Sequence, residues 1–434
     1  MIGVDEARTF VLSRLSPLPP MDCALDDALD RVAAATVRAR EATPRFDNSA
    51  MDGFALRAGD TASGATRLRI VDAVFAGATS SRTVGKGEAS RIMTGAPLPP
   101  GADSVCQRED TLVEPDGHHV LIQRVVREGE SVRRVGEDVL VGQTLVEPGD
   151  VIGPALLGAL AGQGIRSLLV HPTPRVGVLS TGDEISDAAS PLAPGRIRDA
   201  NRPALIASLR QSGFSPVDLG RVGDSKEALR GAFERATREC DAVVSTGGVS
   251  AGDADFVKVV LGELFGDTAR SMQVAMRPGK PFAYAYDEAT ATPFFALAGN
   301  PVSTLVGFEL FVRPALRRLG GHRDLERARW PMVLDCDVAR SRDGKLHLLH
   351  AVCYLHGDGR LHVRRIARTG SHLLFAVADA NCLLLSPESD GLVAGDIVQG
   401  VILDESRVTS NREPKDPVTG RVHTAGSDVG LATP

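Results

Sequence analysis

The stretches VGVLSTGDEI from Val176, AVVSTGGVSAGDADF from Ala242 and FFALAGNPVSTLVGFEL from Phe294 decide the fold. Each is an apolar strand that runs into a glycine-containing loop rich in hydroxyls and carboxylates, and a helix follows. If the three strands are parallel neighbours, their loops emerge at the same carboxyl edge of one sheet, where open α/β folds bind ligands. The repeat therefore predicts a binding site at that edge.

Strands and helices alternate through the whole region around these loops. This alternation predicts a central three-layer αβα domain with a mostly parallel sheet. On both sides the pattern changes to short alternating strands separated by glycine and proline, so the fold class is multidomain α/β plus β. The predicted parts are an N-terminal linking domain (1–46 and 136–170), a β-rich second domain (47–135), the αβα domain (171–322), a β-barrel-like domain (323–404) and a disordered polar tail (405–434).

Local patterns predict several helices and their caps. Apolar periodicity predicts one helix over Val4–Leu15 and a second around Leu25–Ala35. Within the central domain, Asn201 is predicted to cap one helix, and Asp224 with Glu227 is predicted to form the capping box of the next.

Composition and charge restrict the functions that the chain can have. Its 434 residues suggest about three domains, and a 43% hydrophobic share is typical of a globular protein. The net charge of −6 and the 4% share of aromatic residues argue against a nucleic-acid partner. No stretch reaches the roughly 18 apolar residues that a membrane helix needs, so we expect no membrane partner and a cytoplasmic location. The six scattered cysteines lack metal-binding spacing and are expected to be reduced.

The glycines of the three loops favour an anionic ligand. Gly182, Gly247, Gly248 and Gly299 lie where a strand passes into a helix, and backbone N–H groups at helix starts attract anions. A single loop of this kind is usually structural, but three at one edge of a sheet predict a phosphate-bearing ligand.

The same loops carry four carboxylates, Asp183, Glu184, Asp253 and Asp255. Two carboxylates about 4 Å apart repel by roughly 4 kcal/mol at an effective dielectric near 20, so a cation between them is expected. Oxygen ligands without His or Cys favour Mg²⁺ shared with ligand phosphates over zinc. The alternative is that Glu184 and Asp253 cap helices or face water.

Fixed positive charge is predicted beside the sheet by the segment MRPGKPF from Met276. Its prolines hold Arg277 and Lys280 on a stiff frame, where they are able to bind a phosphate or an oxyanion. The alternative is an exposed turn with solvated charges. Ser303, after the third strand, is a candidate either for capping the last helix or for contacting an anion.

Nine motifs together resemble the MoeA family, the molybdopterin molybdenumtransferases, to which the carboxyl-terminal domain of gephyrin also belongs. The resemblance runs in order from the first helix to about Asp404. The motifs are DNSAMDGFAL, RIMTGAPLPPGADSV, GED, STGDEI, GRIRDANRPAL, STGGVSAGDADF, RPGKPF, GNPVS and FELFVRPALRRL. The central domain alone would be less specific, because molybdopterin adenylyltransferases use a similar one.

The resemblance implies an elongated homodimer whose active site lies between the αβα domain and the second domain of the other subunit. It also implies the reaction: adenylylated molybdopterin and molybdate are substrates, Mg²⁺ is the cofactor, and AMP and molybdenum cofactor are released. A molybdopterin adenylyltransferase and recipient molybdoenzymes are possible partners. The thiolates that bind molybdenum belong to the substrate, so no protein nucleophile is required.

Site residues are carried over by motif. The catalytic assignments are Asp52, Asp138, Glu184 and Lys280. The substrate-binding assignments are Thr94, Gly182, Thr246, Gly247, Gly248, Arg277, Pro301, Ser303 and Ser371. The metal-binding assignments are Asp183, Glu184, Asp253 and Asp255.

Three positions depart from the family pattern. Ala298 and Ala285 stand where the family usually has proline and glycine, and His350 replaces a commonly found arginine. Because a histidine is only partly charged near pH 7, weaker molybdate binding is one expected consequence. Two alternatives to the transferase follow: a diverged paralogue that handles the nucleotide without efficient metal insertion, and a non-catalytic scaffold on the same fold.

Overall fold

The computed structural model of the chain describes residues 1–186, 191–249, 256–340, 342–368 and 370–410. These residues divide into two compact units. One comprises 1–21, 149–151 and the chain from 170 onward, and the other comprises 22–148 and 152–169. The finer division that the sequence suggests stays a prediction. No helix among the described residues is long and apolar enough to cross a bilayer.

The unit formed by 22–148 and 152–169 is built mainly from short strands. Its largest sheet has six strands in the order β8, β5, β7, β6, β10, β9, and its core contains Phe54, Leu56 and Leu68. The β-rich second domain is therefore confirmed. The strands from the start of the chain are β1 (Met21–Ala24), β2 (Val32–Ala33), β3 (Val37–Arg38), β4 (Asn48–Ser49), β5 (Gly53–Leu56), β6 (Thr66–Val74), β7 (Glu88–Ile92), β8 (Ser104–Gln107), β9 (Thr111–Val113), β10 (His119–Ile122), β11 (Val132–Arg133), β12 (Thr144–Val146) and β13 (Ser167–His171).

The predicted helix around Leu25–Ala35 is wrong. A 3₁₀ turn covers Leu25–Asp27, and β2 follows. Asp30, between them, has a φ of 61° and donates its backbone N–H to the carbonyl of Ile152 at 2.9 Å. A left-handed residue cannot continue an α-helix, so this long-range hydrogen bond prevails over the local apolar spacing.

The central sheet of the other unit has the strand order β17, β14, β18, β22, β21, β19. Its first four strands are parallel, and the last two run antiparallel to their neighbours. This confirms the predicted mostly parallel sheet. The strands of this part are β14 (Arg175–Thr181), β15 (Ile185–Ser186), β16 (Ile197–Arg198), β17 (Ser215–Val222), β18 (Ala242–Thr246), β19 (Arg270–Gln273), β20 (Met276–Arg277), β21 (Pro281–Asp287) and β22 (Thr292–Leu297).

Helices cover both faces of this sheet. Side chains alternate along the strands, so that Val244 faces a core with Leu205 while its neighbour Val243 faces another core with Phe233. The three-layer αβα arrangement is therefore confirmed. The helices of the chain are α1 (Val4–Leu12), α2 (Pro154–Gly162), α3 (Asn201–Gln211), α4 (Lys226–Glu239), α5 (Phe256–Phe265), α6 (Pro301–Gly307) and α7 (Arg313–Leu319), with a π-helical turn (Phe308–Val312) between the last two.

The predicted caps are corrected by the structure. Ala200, not Asn201, precedes α3, and Asn201 instead donates from its amide to the carbonyl of Gly299 at 2.7 Å. Ser225 caps α4 by accepting the N–H of Ala228 at 3.1 Å. The predicted capping residue, Asp224, is therefore wrong by one position. Ser303 lies inside α6 and does not cap it.

The C-terminal region closes into a barrel of five strands, which confirms the prediction. The strand order is β25, β26, β23, β29, β27, and β27 also pairs with β25. Its strands are β23 (Arg329–Leu334), β24 (Val338–Ala339), β25 (Leu346–Leu355), β26 (Leu361–Arg365), β27 (Cys382–Ser386), β28 (Gly391–Leu392) and β29 (Ile397–Ile402).

Strand β25 of the barrel also pairs with segments that precede and follow the barrel in the sequence. Strand β20 pairs with β25, which fixes Arg277 opposite His347. At the other border, Ser410 forms a bridge with Leu355, and Glu405–Arg407 form a 3₁₀ turn. The remainder of the predicted tail, 411–434, lies outside the described residues.

Glycine allows the ends of the parallel strands to meet. The backbone N–H of Gly247 donates to the carbonyl of Leu297 at 3.1 Å, and Gly247 has a φ of 93°. A Cβ added at Gly247 would lie 2.7 Å from the carbonyl oxygen of Thr181. No side chain fits there, so the close approach of β14, β18 and β22 requires glycine.

We predict that Gly247→Ala destabilises the protein by about 1–3 kcal/mol, because it adds both a strained φ and a backbone clash. The matched control is Gly231→Ala in α4, where the nearest atom to an added Cβ is the flexible end of Arg235 at 3.5 Å. This control is expected to be neutral or stabilising by up to about 1 kcal/mol. Thermal unfolding midpoints measure the effect. Equal midpoints for the two variants would contradict this account of the strand ends.

Candidate functional site

The first part of the candidate site is the carboxyl edge of β14, β18 and β22. The hydroxyl of Thr181 donates to the carbonyl of Thr246 at 3.1 Å, and the side chain of Thr246 is buried. Gly248 has a φ of 66°, and an added Cβ there would lie 2.5 Å from the side chain of Val257 in α5. The predicted convergence of the three strand–loop segments is thus confirmed at their described residues.

The acidic residues after β14 are exposed at this edge. A carboxylate oxygen of Glu184 lies 2.6 Å from the position of a Cβ on Gly182, so Gly182 leaves the space that this carboxylate occupies. The backbone N–H groups of Asp183 and Asp224 each donate to the carboxylate of the other residue, at 3.1 and 3.4 Å. Asp253 and Asp255, the other predicted metal ligands, lie outside the described residues.

A network of hydrogen bonds and ion pairs, partly buried, lies next to the same strand edge. The hydroxyl of Ser180 donates to the carboxylate of Asp199, which also accepts from the guanidinium of Arg202 at 2.9 Å. Arg202 continues to both carboxylate oxygens of Asp218, at 2.5 and 2.6 Å. Charge-assisted hydrogen bonds of this kind fix the start of α3, which carries Asn201.

Asn201 is a candidate that the sequence assigned only to capping. Its amide nitrogen holds the carbonyl of Gly299, while its Oδ1 is buried without a hydrogen-bond partner among the described residues. A buried acceptor without a partner is costly, so it is a position where a ligand donor would be favourable.

The second part of the site is a cavity of about 710 Å³ where β20, α6 and the barrel meet. Its described lining contains six Arg and Lys side chains and no carboxylate: Arg277, Lys280, Arg340, Lys345, Arg365 and Arg368. Asp343 pairs with Arg340 and Lys345 at 3.4 and 3.1 Å, and the remaining positive charges repel each other unless an anion neutralises them. The charge of this lining favours an anionic ligand, and we call the space the cationic cavity.

Several groups in the cationic cavity are available to a ligand. Arg277 and Lys280 are exposed and form no ion pair with a described residue. The Nε of Arg365 is buried without a hydrogen-bond partner in the described part of the chain. Ser303 and Ser371 line the same cavity, and the carbonyl of Ser371 accepts the N–H of Val302 at 3.0 Å near the start of α6.

His350 also lines the cationic cavity, but it differs chemically from its neighbours. The side chain is buried, and loss of solvation lowers its pKa from 6.5 to about 4. It is therefore neutral at physiological pH and supplies hydrogen bonding rather than charge.

The remaining predicted residues belong to the unit formed by 22–148 and 152–169. Both the backbone N–H and the hydroxyl of Thr94 donate to one carboxylate oxygen of Asp52 at 2.7 Å. These two bonds lower the pKa of the exposed Asp52 carboxyl, which stays ionised. Asp138 lies on a separate turn, where its backbone N–H donates to the carbonyl of Thr43 at 3.0 Å.

The predicted site residues therefore form three groups. The strand edge gathers Gly182, Asp183, Glu184, Thr246, Gly247 and Gly248, and the cavity gathers Arg277, Lys280, Ser303 and Ser371 with Pro301 at the start of α6. Asp52 meets Thr94. Asp183 and Glu184 do not line the cavity, but Asn300 does, and it directly follows Gly299 of the strand edge.

The sequence did not predict the four basic residues that the barrel region adds to the cavity lining. Arg340, Lys345, Arg365 and Arg368 come from strands and loops of the barrel. A basic side chain in a short strand or loop does not by itself indicate a binding site. The pairing of β20 with β25 brings this part of the barrel to Lys280.

Comparison with known proteins agrees with this arrangement in all parts of the chain. Residues 2–164 match the MoeA N-terminal region (domain I and II), 177–318 match the probable molybdopterin binding domain, and 337–403 match the MoeA C-terminal region (domain IV). The molybdopterin molybdenumtransferase of Haemophilus influenzae is 33% identical over 401 residues, covering 92% of this chain and 98% of that protein. The chain belongs to the MoeA family of molybdopterin molybdenumtransferases.

Two other relatives extend the MoeA comparison. Molybdopterin molybdenumtransferase 2 of Mycobacterium tuberculosis is 37% identical over 399 residues, covering 89% of this chain and 96% of the relative. The crystal structure of the molybdopterin biosynthesis MoeA protein from Pyrococcus horikoshii OT3 superposes with a TM-score of 0.79 at 26% identity, covering 93% of this chain and 100% of that one. MoeA members are transferases of molybdenum cofactor biosynthesis, and this chain shares the fold of the Pyrococcus protein over 93% of its length.

Two of the three departures from the MoeA pattern lie in the core. Ala285 is fully buried in β21, and Ala298 is 8% exposed. The carbonyl of Ala298 accepts the hydroxyl of Thr304 at 2.7 Å, which ties the third loop to α6. Only His350 replaces a residue in the lining of the cationic cavity.

We predict that the imidazole of His350 stays neutral down to a pH near 4. The unfolded histidine takes up its proton near pH 6.5 and the folded one only near pH 4. The folded state therefore loses stability as pH falls through this window, by up to about 3 kcal/mol relative to His350→Gln. Side-chain NMR shifts, assigned with that variant, give the titration directly. A His350 midpoint at pH 6 or above would contradict the predicted desolvation.

Proposed function

We propose that this enzyme inserts molybdenum from molybdate into adenylylated molybdopterin, with Mg²⁺-dependent release of AMP. The observation that carries the proposal is the cationic cavity, which adjoins the carboxyl edge of a parallel sheet through Asn300. Two anionic substrates, molybdate and a pterin that bears a phosphoanhydride, fit two neighbouring anion sites.

Molybdate is a tetrahedral dianion, and the cavity offers matching donors. Arg277 and Lys280 supply charge from β20 and its turn, and the hydroxyls of Ser303 and Ser371 add neutral donors. A volume of about 710 Å³ lies within the usual range for small-molecule sites and leaves room for part of the pterin beside the oxyanion.

The nucleotide portion is assigned to the strand edge. Gly247 and Gly248 are half-buried directly after β18, and we assign the phosphate to this loop. The free Oδ1 of Asn201 is a further acceptor near Gly299, suited to an N–H donor of the substrate.

Mg²⁺ fits the donor set at the same edge. Asp183 and Glu184 are exposed oxygen ligands without a histidine or cysteine beside them, which suits Mg²⁺ bound through carboxylates, waters and phosphates. When bound there, the ion neutralises negative charge on the phosphate oxygens. Asp183 and Glu184 would hold it, while Asn201 and the glycine loops orient the substrate and Lys280 retains the oxyanion.

The direct test is anaerobic incubation of the full chain with adenylylated molybdopterin, Mg²⁺ and molybdate, followed by chromatography of released AMP. The proposal expects AMP release that depends on both Mg²⁺ and molybdate. Release no greater than that of a heat-inactivated sample would reject it.

For a sharper test, we predict that Lys280→Ala raises the molybdate concentration for half-maximal AMP release by about 10- to 100-fold, because it removes one charge-assisted hydrogen bond. The matched control is Lys226→Ala, which removes an exposed ion pair with Glu263 in a different part of the same domain. The control is expected to keep the wild-type molybdate dependence. Equal effects of the two substitutions would contradict the assigned oxyanion site.

A homodimer and a cytoplasmic location belong to the same proposal. The family resemblance implies that the second domain of one subunit serves the active site of the other. At a molybdate concentration too low for Lys280→Ala homodimers to act, co-purified Asp52→Ala and Lys280→Ala subunits should then recover about a quarter of wild-type AMP release, since about half of the dimers are mixed and each has one intact site. Sedimentation velocity checks the dimer. No recovery in demonstrably mixed dimers would contradict a shared site.

One observation favours a second candidate within the family. Neutral, buried His350 lowers the positive charge of the cavity relative to the usual arginine, as expected of a paralogue that handles adenylylated molybdopterin without efficient metal insertion. AMP release without dependence on molybdate would favour that candidate. A scaffold role is disfavoured, because docking alone needs neither the cationic cavity nor the acidic edge.

A further inference from the structure

A metal-binding arrangement lies on the barrel outside the proposed active site. The hairpin of β25 and β26 carries His356, Asp358 and His362, which we call the hairpin cluster. None of the three lines the cationic cavity, so the hairpin cluster is independent of the proposed function.

The hairpin places these side chains on a short, defined turn. The backbone N–H of His356 donates to the carbonyl of Arg360 at 2.9 Å, and that of Gly359 donates to the carbonyl of His356 at 3.0 Å. Gly359 has a φ of 81°, and the N–H of Arg360 donates to a carboxylate oxygen of Asp358 at 3.0 Å. The turn is therefore fixed by its own hydrogen bonds before any ligand binds.

The distances within the hairpin cluster match the spacing of ligands around one metal ion. A carboxylate oxygen of Asp358 lies 3.2 Å from Nε2 of His362, and the other lies 3.2 Å from Nδ1 of His356. One ligand atom of each residue lies within 4.8 Å of the others. Ligands at about 2.0–2.1 Å from a tetrahedral zinc ion are about 3.3 Å apart. The rings of His356 and His362 stack with their centroids 4.2 Å apart and 30° between their planes, so the exposed ring of His356 must rotate for both imidazoles to bind one ion.

A second carboxylate fixes the orientation of His362 from behind. Nδ1 of His362 lies 2.7 Å from Oδ1 of Asp335, whose other oxygen accepts the hydroxyl of Tyr354 at 2.7 Å. With Nδ1 held by Asp335, Nε2 faces Asp358 and is the nitrogen available as a metal ligand. Histidines that bind metals are held by a carboxylate or carbonyl in this manner.

The charge of the cluster also favours a divalent cation. Asp335 and Asp358 supply two negative charges, and neither forms an ion pair with a Lys or Arg in the described part of the chain. The acidic cluster of Glu114, Asp116 and His119 differs, because Arg67 already binds both oxygens of Glu114 at 2.7 and 2.9 Å.

We propose that His356, Asp358 and His362 bind one Zn²⁺ ion, with Asp335 as the residue that positions His362. Two imidazoles with one carboxylate suit zinc and its first-row neighbours rather than Mg²⁺ or Ca²⁺. His356 is 47% exposed and Asp358 42% exposed, so the fourth position is open to water. The bound ion links both ends of the turn and stabilises the hairpin.

The experiment titrates Zn²⁺ into the chelator-treated full chain by calorimetry, with Co²⁺ absorption as a second readout. The expected result is one equivalent of Zn²⁺, and visible Co²⁺ bands of a tetrahedral N/O site without a thiolate charge-transfer band. Zinc should also raise the thermal unfolding midpoint. Failure to bind Zn²⁺ at micromolar concentration, or a thiolate band that identifies cysteine ligands, would overturn the proposal.

Three variants locate the ion. His356→Ala, at an exposed position, should lose at least about 10-fold in zinc affinity, and Asp335→Asn about 10-fold through the misplaced His362. His119→Ala is the matched control in the other cluster and should bind zinc as the wild type does. Unfolding midpoints without metal show that each variant is folded. Zinc affinity unchanged by His356→Ala, or lost in His119→Ala, would refute the assignment to the hairpin.

Discussion

The structure depends on the contact between the ends of three parallel strands. The N–H of Gly247 reaches the carbonyl of Leu297, and the backbone of Thr181 occupies the space in which Gly247 would otherwise carry a side chain. Because no side chain separates these strand ends, their loops must share one edge. The positions of the acidic residues, the half-buried glycine loop and the start of α6 follow from this constraint.

The same constraint explains how the two proposed anion sites become neighbours. The third loop continues from Gly299 to Asn300, so it belongs to the strand edge on one side and to the cationic cavity on the other. Strand β20 pairs with the barrel strand β25, and this pairing brings the barrel's basic residues to Lys280. The arrangement suits the proposed reaction between an oxyanion and a substrate that bears a phosphoanhydride.

The sequence predicted those parts of the fold and site that depend on local pattern. Strand–loop–helix repeats identified the parallel sheet, and the rigid RPGKPF segment identified Arg277 and Lys280, which do meet Ser303 and Ser371. The sequence did not predict contacts between residues that are far apart along the chain. The Leu25–Ala35 segment has helical spacing, but the backbone N–H of Asp30 donates to the carbonyl of Ile152. The side-chain amide of Asn201 donates to the carbonyl of Gly299 and does not cap α3. Arg365 joins the cavity through the pairing of β26 with β25.

The most direct measurement of the central claim is an anomalous difference map from crystals soaked with molybdate and AMP. The account predicts a molybdenum peak in the cationic cavity, within hydrogen-bond reach of Lys280 and the hydroxyls of Ser303 or Ser371, and AMP phosphate at the loop of Gly247 and Gly248. A molybdenum peak away from this cavity, or AMP bound on a surface unconnected with the three strand ends, would contradict it.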